Sequence, residues 1–266
     1  MNSTRVFDPS MIVQVIPDLL SYLDVTLLVA VTSILLGSLL GMIPAWARTG
    51  RHRVLRWIAN GYIYIMRCTP SIVLLFIVFY GLPKLIEAMT DYDYDINDTN
   101  RAVFAIITFT LLFGAYISEV FRAAYQAVPK GQYDAAVSIG LSPFQAFRQV
   151  MLPQATVIAL PNFGNSVINL LKEGALAYTI GLIDMIGKGN LIIAQNFGAY
   201  GVEIYLACMI VYWIMTTCIA KGFLRLEEHL DKGQSLRAKN PARAKARMLP
   251  VWKNVPSLMR RIQRQG

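Results

Sequence analysis

The stretch DVTLLVAVTSILLGSLLGMIPAW, residues 24–46, is an almost unbroken apolar run. Its length is close to the ~20 residues that an α-helix needs to cross about 30 Å of hydrocarbon. The chain has 266 residues, of which 55% are hydrophobic and 15% charged, and its mean hydropathy is +0.46. This composition excludes an ordinary soluble domain and indicates a polytopic membrane protein.

Further apolar runs predict more membrane spans: 57–82, 102–121, 154–180, which polar residues interrupt, and 204–224. Together with the first run they predict five transmembrane helices in an all-α integral membrane fold. We place them in one transmembrane domain, residues 24–230. An odd number of spans puts the two termini on opposite sides of the membrane.

The charges of the connecting segments orient the predicted helices. The connection after the first run carries Arg48, Arg51, Arg53 and Arg56 and no acidic residue, so the positive-inside rule places it in the cytoplasm. The next connection, 84–100, carries five acidic residues and a single lysine, as expected for an external loop. The N-terminus is therefore predicted outside and the C-terminus inside.

The two ends of the chain are predicted to flank the transmembrane domain. Residues 1–23 form an external segment with a short helix along the outer interface, and we expect no removable signal peptide. Residues 231–266 form a cytoplasmic tail with ten Lys and Arg residues from position 232 onward and no Asp or Glu there. Such a tail is solvated or contacts anionic membrane lipid, and we expect no nucleic acid partner.

The inventory of reactive side chains disfavours an enzyme. Both histidines, His52 and His229, lie in basic segments outside the predicted membrane interior, and the three cysteines have no metal-like spacing. The sequence contains no G-x-x-x-x-G-K-[ST] loop for nucleotide phosphates. We predict no catalytic site, no metal and no cofactor on this chain, so another chain must bind any ATP that is consumed.

A helical elbow is predicted in the segment YDAAVSIGLSPFQAFRQVMLP, residues 133–153. Gly140 is placed to end a first helix in the left-handed conformation, and Ser142 can cap a second helix that has Gln145 at N3. The second helix bears an apolar ridge of Phe144, Phe147, Val150 and Met151. Such a ridge fits a groove on a partner; the alternative is a loop that packs on its own transmembrane helices.

A polar face runs along the fourth predicted span. At spacings of three, four and three it carries Asn162, Asn165, Asn169 and Lys172, with Ser166 and Glu173 at its edge. A hydrogen-bonded seam between helices would explain the asparagines. A charge at membrane depth costs roughly 2.5 to 3.5 kcal/mol and usually faces a cavity or a partner, although Lys172 and Glu173 could also snorkel to the outer interface. We interpret the face as the lining of a substrate pathway.

A second buried acid, Glu119, lies in the third predicted span. We expect it to form a structural ion pair with Arg122 or Arg67.

The elbow and its surroundings resemble a known family. DAAVSIG (134–140) followed by MLPQA (151–155) looks like the EAA signature of ABC importer permeases, with Asp134 where the family usually has Glu. Further segments resemble, in order, polar amino acid permeases of the histidine/glutamine/arginine type: RCTPSIVLLFIVFYGLP (67–83), AYISEVFRAA (115–124), VPKGQYDAA (128–136), LPNFGNSVINLLKEGAL (160–176) and IGLIDMI (180–186). Cys68 stands where the family commonly has Gly, and Gly174-Ala175 stands where Thr-Ser usually follows the Lys-acid pair.

The resemblance implies a five-span permease subunit of an ATP-driven, binding-protein-dependent amino acid importer in the bacterial inner membrane. Two permease subunits, identical or paralogous, would enclose the pathway. Separate ATPase subunits, which hold ATP and Mg, would bind the elbow from the cytoplasm, and an extracellular or periplasmic binding protein would deliver the amino acid. The departure at Gly174-Ala175 bears on substrate identity.

The resemblance also implies which residues couple transport to the ATPase. Within a coupling element spanning 128–152 they are Asp134, Ala135, Ala136, Gly140, Ser142, Phe144 and Phe147. The alternative is a secondary amino acid transporter or channel that works without ATP, in which the elbow is only an interfacial helix pair. A membrane scaffold without a conducted substrate is disfavoured by the polar face of the fourth span.

Overall fold

The computed structural model describes residues 7–50, 52–90 and 99–231, except for the side chains of Thr90 and Asp231. Within these ranges every regular element is helical, which confirms the predicted all-α fold. The α-helices are α1 Pro9–Leu20, α2 Leu23–Thr49, α3 Arg53–Cys68, α4 Ser71–Thr90, α5 Arg101–Ala127, α6 Lys130–Ser138, α7 Pro143–Ala146, α8 Leu152–Gly174, α9 Met185–Gln195 and α10 Gly201–Asp231. A π-helical turn, Phe147–Met151, precedes α8, and a 3-10 helix, Ala175–Ile180, follows it.

The chain divides into two compact units, residues 1–225 and 226–266. Of the second unit only 226–231, the end of α10, is described. Arg51, the acidic stretch 91–98 and the basic tail from 232 lie outside the described residues. The predictions made for them stay predictions, as do the absolute orientation of the termini and the domain limits.

Among the described helices, four are long and apolar enough to cross a membrane: α2, α4 over Ser71–Met89, α5, and α10 over Gly201–Leu230. The segment Pro143–Ile180 and α9, bent by 45° relative to each other, pass the same test together and can form a fifth span. The bend follows Gly181, whose φ of +82° suits a residue without a Cβ. Asp184 then caps α9 by accepting a hydrogen bond from the Gly187 N–H at 2.8 Å.

The second predicted span, 57–82, is wrong in its boundaries. Thr69 is extended, with φ −90° and ψ 131°, because the following Pro70 disfavours the helical conformation of the residue before it. The run is therefore split into α3 and α4. At 16 residues, α3 is about 24 Å long, too short to cross the hydrocarbon, and α4 supplies the span.

Helix α5 is the centre of the main hydrophobic cluster. Its buried Phe109, Leu112, Phe113 and Ile117 contact residues of α2, α4 and α8. Higher-numbered residues of α2 meet higher-numbered residues of α5, so these two helices run in the same direction. This agrees with five spans that cross the membrane in alternating directions, because the first and the third then run the same way.

Close packing of α2 on α5 depends on Gly41. A Cβ added there would lie 2.3 Å from Ile117 Cγ2 and 2.8 Å from the Gly114 carbonyl oxygen. Small residues at such crossings let helix backbones approach in a membrane, where packing rather than hydrophobic burial drives association. Gly41 therefore sets the distance between the two helices.

A second cluster joins α1, α9 and the first turns of α10 through Val15, Leu19, Met185, Ile204 and Cys208. The short external helix predicted near the N-terminus thus corresponds to α1. Its place at the membrane interface stays a prediction.

Candidate functional site

The polar face predicted on the fourth span lies on α8. Asn162, Asn165, Asn169 and Lys172 are all exposed, whereas Gly164, Val167, Leu170 and Leu171 on the other side of α8 are buried. The helix thus has one face packed into the protein and one polar face turned away from it. Ser166 and Glu173 are half-buried at the boundary between the two faces.

A small cavity opens at this boundary between α8 and α5. It is lined by Phe113, Tyr116, Ser166, Asn169, Leu170 and Glu173, and its volume of about 130 Å³ has room for several water molecules. The structure therefore brings three of the six predicted pathway residues together around one cavity. The other three, Asn162, Asn165 and Lys172, lie along the exposed face and do not line the cavity.

Glu173 is held at the cavity by a residue far away in sequence. The Ser71 hydroxyl donates a hydrogen bond of 3.1 Å to Glu173 Oε2. Ser71 is the first residue of α4 and directly follows the break at Thr69 and Pro70. The broken helix thus positions a hydroxyl against the acid of α8, which fixes the carboxylate in the cavity wall.

Sequence reasoning missed Ser71 and Tyr116 as site residues. The Thr-Pro pair was a usable signal for Ser71, because it predicts a helix start inside an apolar run. No such signal marked Tyr116, because an aromatic residue in an apolar helix can equally face lipid or pack in a core.

Lys172 and Glu173 do not converge on one point. Both belong to α8, where neighbouring side chains diverge by about 100°. Convergence requires the helix to loosen at Gly174, but Gly174 is helical, with φ −55° and ψ −30°, and a tighter 3-10 helix follows. In this structure Glu173 borders the cavity and Lys172 the exposed face.

The predicted elbow is present in the described residues. Gly140 has φ +95°, and the Leu141 N–H reaches back to the Ala136 carbonyl at 3.2 Å, as in a glycine-terminated helix. Ser142 and Gln145 form the predicted capping box: the Gln145 N–H donates to Ser142 Oγ at 3.3 Å and the Ser142 N–H donates to Gln145 Oε1 at 2.9 Å. The angle of the elbow is therefore set by local chemistry.

The elbow presents apolar side chains to its surroundings. Ile139 is 81% and Phe144 69% exposed. Phe147 is also exposed, with its ring 6.2 Å from that of Tyr125. The predicted ridge is wrong at Met151, which is 4% exposed and packs against α5 and α8. The π-helical turn displaces it from the face that carries Phe144.

The remaining predicted coupling residues belong to α6 and the turn after it. Ala136 is buried, whereas Asp134, Ala135, Gly140 and Ser142 are exposed. The Asp134 side chain faces solvent, and its backbone carbonyl accepts a hydrogen bond of 2.8 Å from the Ser138 hydroxyl.

The elbow and the polar face belong to one helical segment. No break separates α7, the π-helical turn, α8 and the 3-10 helix, so Pro143–Ile180 is continuous. A separate second helix followed by a span from Gln154, as the sequence suggested, is therefore incorrect. Within residues 7–50, 52–90 and 99–231, no three His, Cys, Asp or Glu side chains come together to hold a metal ion.

A membrane protein whose described part forms four or five spans, with an exposed elbow continuous with a polar-faced span, has the architecture of a transport permease subunit. The chain belongs to the family of binding-protein-dependent transport system inner membrane components, whose model matches residues 33–232. It is thus a multi-pass permease subunit of an ABC importer, and the resemblance noted in the sequence is confirmed.

Individual relatives agree with this assignment. The chain is 39% identical to the L-cystine transport system permease protein TcyL of Bacillus subtilis, over 87% of this chain and 95% of that protein. It is 35% identical to the histidine/lysine/arginine/ornithine transport system permease protein HisQ of Salmonella typhimurium, over 77% and 89%. A chain in a crystal structure of an amino acid ABC transporter with histidines matches with a TM-score of 0.72 and 27% identity, covering 85% of this chain and 100% of that one.

Proposed function

We propose that the chain is the permease subunit of an ATP-driven amino acid importer, in which it lines the translocation pathway and transmits movements of separate ATPase subunits to it. One observation carries the proposal: the continuous segment Pro143–Ile180 bears the exposed Phe144 near one end and Glu173 near the other. A displacement of the elbow therefore moves the cavity wall directly.

The cavity suits part of an α-amino acid. The substrate carries an ammonium and a carboxylate into a place where water is scarce, so each needs an opposite charge or several oriented dipoles. Glu173 supplies a carboxylate for the ammonium, and Ser166 and Asn169 supply a hydroxyl and an amide. An amino acid is also the class of substrate that the names of TcyL and HisQ give for those relatives.

We assign the exposed face of α8 to the interior between two permease subunits. A row of amides ending in Lys172 would be costly against hydrocarbon, whereas a second permease, identical or paralogous, would enclose it in a polar pathway. In that position Lys172 is a cation on the pathway face for the substrate carboxylate, and Asn165 and Asn162 follow it toward the elbow.

The elbow is assigned to a groove on an ATPase subunit in the cytoplasm. Phe144 and Ile139 provide the apolar contact, while Gly140 and the capping box at Ser142 keep its angle. ATP and Mg belong to that subunit, and an extracellular or periplasmic binding protein delivers the substrate to the opposite face.

Copurification and transport test the proposal together. We expect the permease to retain its ATPase subunit on purification, and proteoliposomes containing the ATPase and binding protein to take up amino acid only with ATP. Phe144→Ala should weaken ATPase retention. Phe197→Ala, the same change at a fully exposed phenylalanine between α9 and α10, should not. Uptake without ATP would favour a secondary transporter. Equal retention of the ATPase by both variants would show that Phe144 of the elbow does not form the ATPase contact.

A further inference from the structure

Three arginines from three helices surround one carboxylate where α2, α3 and α5 meet. Arg48 Nη1 donates a hydrogen bond to Glu119 Oε1. Arg122, one turn along α5, donates to Oε2 from Nε at 3.0 Å and from Nη2 at 2.7 Å. Arg67 Nη1 forms an ion pair with Glu119 Oε1 at 3.6 Å. The predicted pairs with Arg122 and Arg67 are thus both present, and Arg48 was missed. We call these four residues the arginine cluster.

The arginine cluster carries more positive than negative charge. In the part of the chain that the structure describes, no carboxylate other than Glu119 lies within 4.0 Å of its arginines. Three cations and one anion leave a surplus of two charges. Arg48 and Arg67 stand in the last turns of α2 and α3, where each helix dipole contributes about half a negative charge. About one positive charge remains without a counter-charge.

The open side of the cluster is at Arg67. Its side chain is 46% exposed, and among the described residues its guanidinium donates no hydrogen bond. The guanidinium lies over the Tyr116 ring, 5.8 Å from the ring centroid. Its planar fork of N–H donors matches the oxygens of a phosphate or carboxylate.

Apolar side chains are exposed on the helix ends that carry Arg48 and Arg67. Tyr64, one turn before Arg67, lies on the same side of α3 as Arg67 and is 73% exposed. Trp46 and Ile65, each two residues before one of these arginines, lie on the other sides of their helices and are 68% and 59% exposed. Exposed aromatic and aliphatic side chains on helix ends that bear arginines are typical of the zone where headgroups meet acyl chains.

We propose that the arginine cluster binds the phosphate of an anionic phospholipid in the cytoplasmic leaflet. The single charge of a phosphodiester balances the one positive charge that Glu119 and the helix dipoles leave over. Basic sites between helices on the cytoplasmic side of membrane proteins bind such headgroups. The site joins α2, α3 and α5, so the lipid fastens α3 to the bundle. The proposal goes beyond the transport function and does not rest on it.

Lipid binding to the purified protein tests this without measuring transport. The full-length chain, in the complex in which it purifies, is titrated in neutral detergent with dioctanoyl phosphatidylglycerol, and bound lipid is counted by native mass spectrometry. Dioctanoyl phosphatidylcholine and inorganic phosphate are titrated in parallel. We expect the phosphatidylglycerol to bind at least fivefold more tightly than the phosphatidylcholine, and inorganic phosphate not to displace it at equal concentration.

Variants on a single helix locate the site. Arg67→Gln should weaken phosphatidylglycerol binding about fivefold, the effect of one cation at a membrane surface, and Arg67→Lys should lose less. Arg53→Gln is the matched control, because Arg53 is exposed, lies on the same helix and is in no ion pair with a described residue. The Lys variant keeps the charge, so it reports on the site even if the Gln variant fails to fold.

Three results would overturn the assignment. Equal binding of phosphatidylcholine would show that lipid charge is irrelevant, and displacement by inorganic phosphate would identify a site for free anions. An equal loss in Arg67→Gln and Arg53→Gln would show diffuse attraction by the basic surface instead of a defined site.

Discussion

The substitution Gly140→Val isolates the backbone geometry of the elbow. Gly140 has φ +95°, and a Cβ built on it meets no atom within 4 Å. A side chain there therefore causes no clash with neighbours, and its whole cost arises from the backbone conformation. For a residue with a Cβ in the left-handed region this cost is about 1 to 2 kcal/mol, and a β-branched side chain raises it further.

The chain can relieve this strain by rotating φ, which turns α7 and the exposed Phe144 away from their present direction. We therefore expect ATP-dependent uptake in proteoliposomes, and the ATP hydrolysis that substrate stimulates, to fall together, while the amount of protein inserted in the membrane is unchanged. The free energy of unfolding, followed by heating in detergent, should fall by no more than about 3 kcal/mol.

Gly131→Val is the matched control. Gly131 also has open space around its Cβ position but lies in α6 without a positive φ, so valine should be neutral or slightly stabilising there. Full uptake and full ATPase stimulation in Gly140→Val would refute the coupling argument. So would an equal defect in Gly131→Val, because the loss would then come from added bulk and not from the angle of the elbow.

Three further predictions concern the pathway, the packing and the topology. Lys172→Met should abolish uptake in proteoliposomes with saturating binding protein but keep ATPase retention. Lys172→Arg should keep part of the uptake, because the charge survives in a different shape. Normal transport by the Met variant would show that Lys172 belongs to the fold or the lipid interface and not to the pathway. Gly41→Leu should lower the free energy of unfolding by at least about 1 to 3 kcal/mol, because its side chain would clash with α5. Gly61→Leu, at a position where a Cβ meets open space, should cause no such loss. A single cysteine at Asp93 should be labelled in intact cells and one at Ala244 only after permeabilisation, and labelling of Ala244 in intact cells would contradict five spans.

The features that the sequence predicted well are those that depend on near neighbours in the chain. The left-handed Gly140 and the Ser142–Gln145 capping box are decided within four residues, and the polar face of α8 follows from helical periodicity alone. For these parts of the fold and of the candidate site, the amino-acid sequence predicts the individual residues as well as the type of element.

Contacts between distant segments could not be predicted in this way. Ser71 reaches Glu173 across 102 residues and Arg48 reaches Glu119 across 71, and no local pattern encodes either distance. The split of the second span is a different kind of error: the signal at Thr69 and Pro70 was local, but the apolar run on both sides of it outweighed it.

The continuous segment from the elbow to the polar face has a consequence for engineering. Successive residues of an α-helix are rotated by about 100° about its axis. One residue inserted or deleted between Phe144 and Glu173 would therefore rotate the elbow relative to the cavity by that angle. Chimeric importers that exchange elbows between permeases must therefore conserve the residue count across this interval. The π-helical turn at Phe147–Met151, where the winding already differs from that of an α-helix, is the position at which one added or deleted residue should be tolerated best.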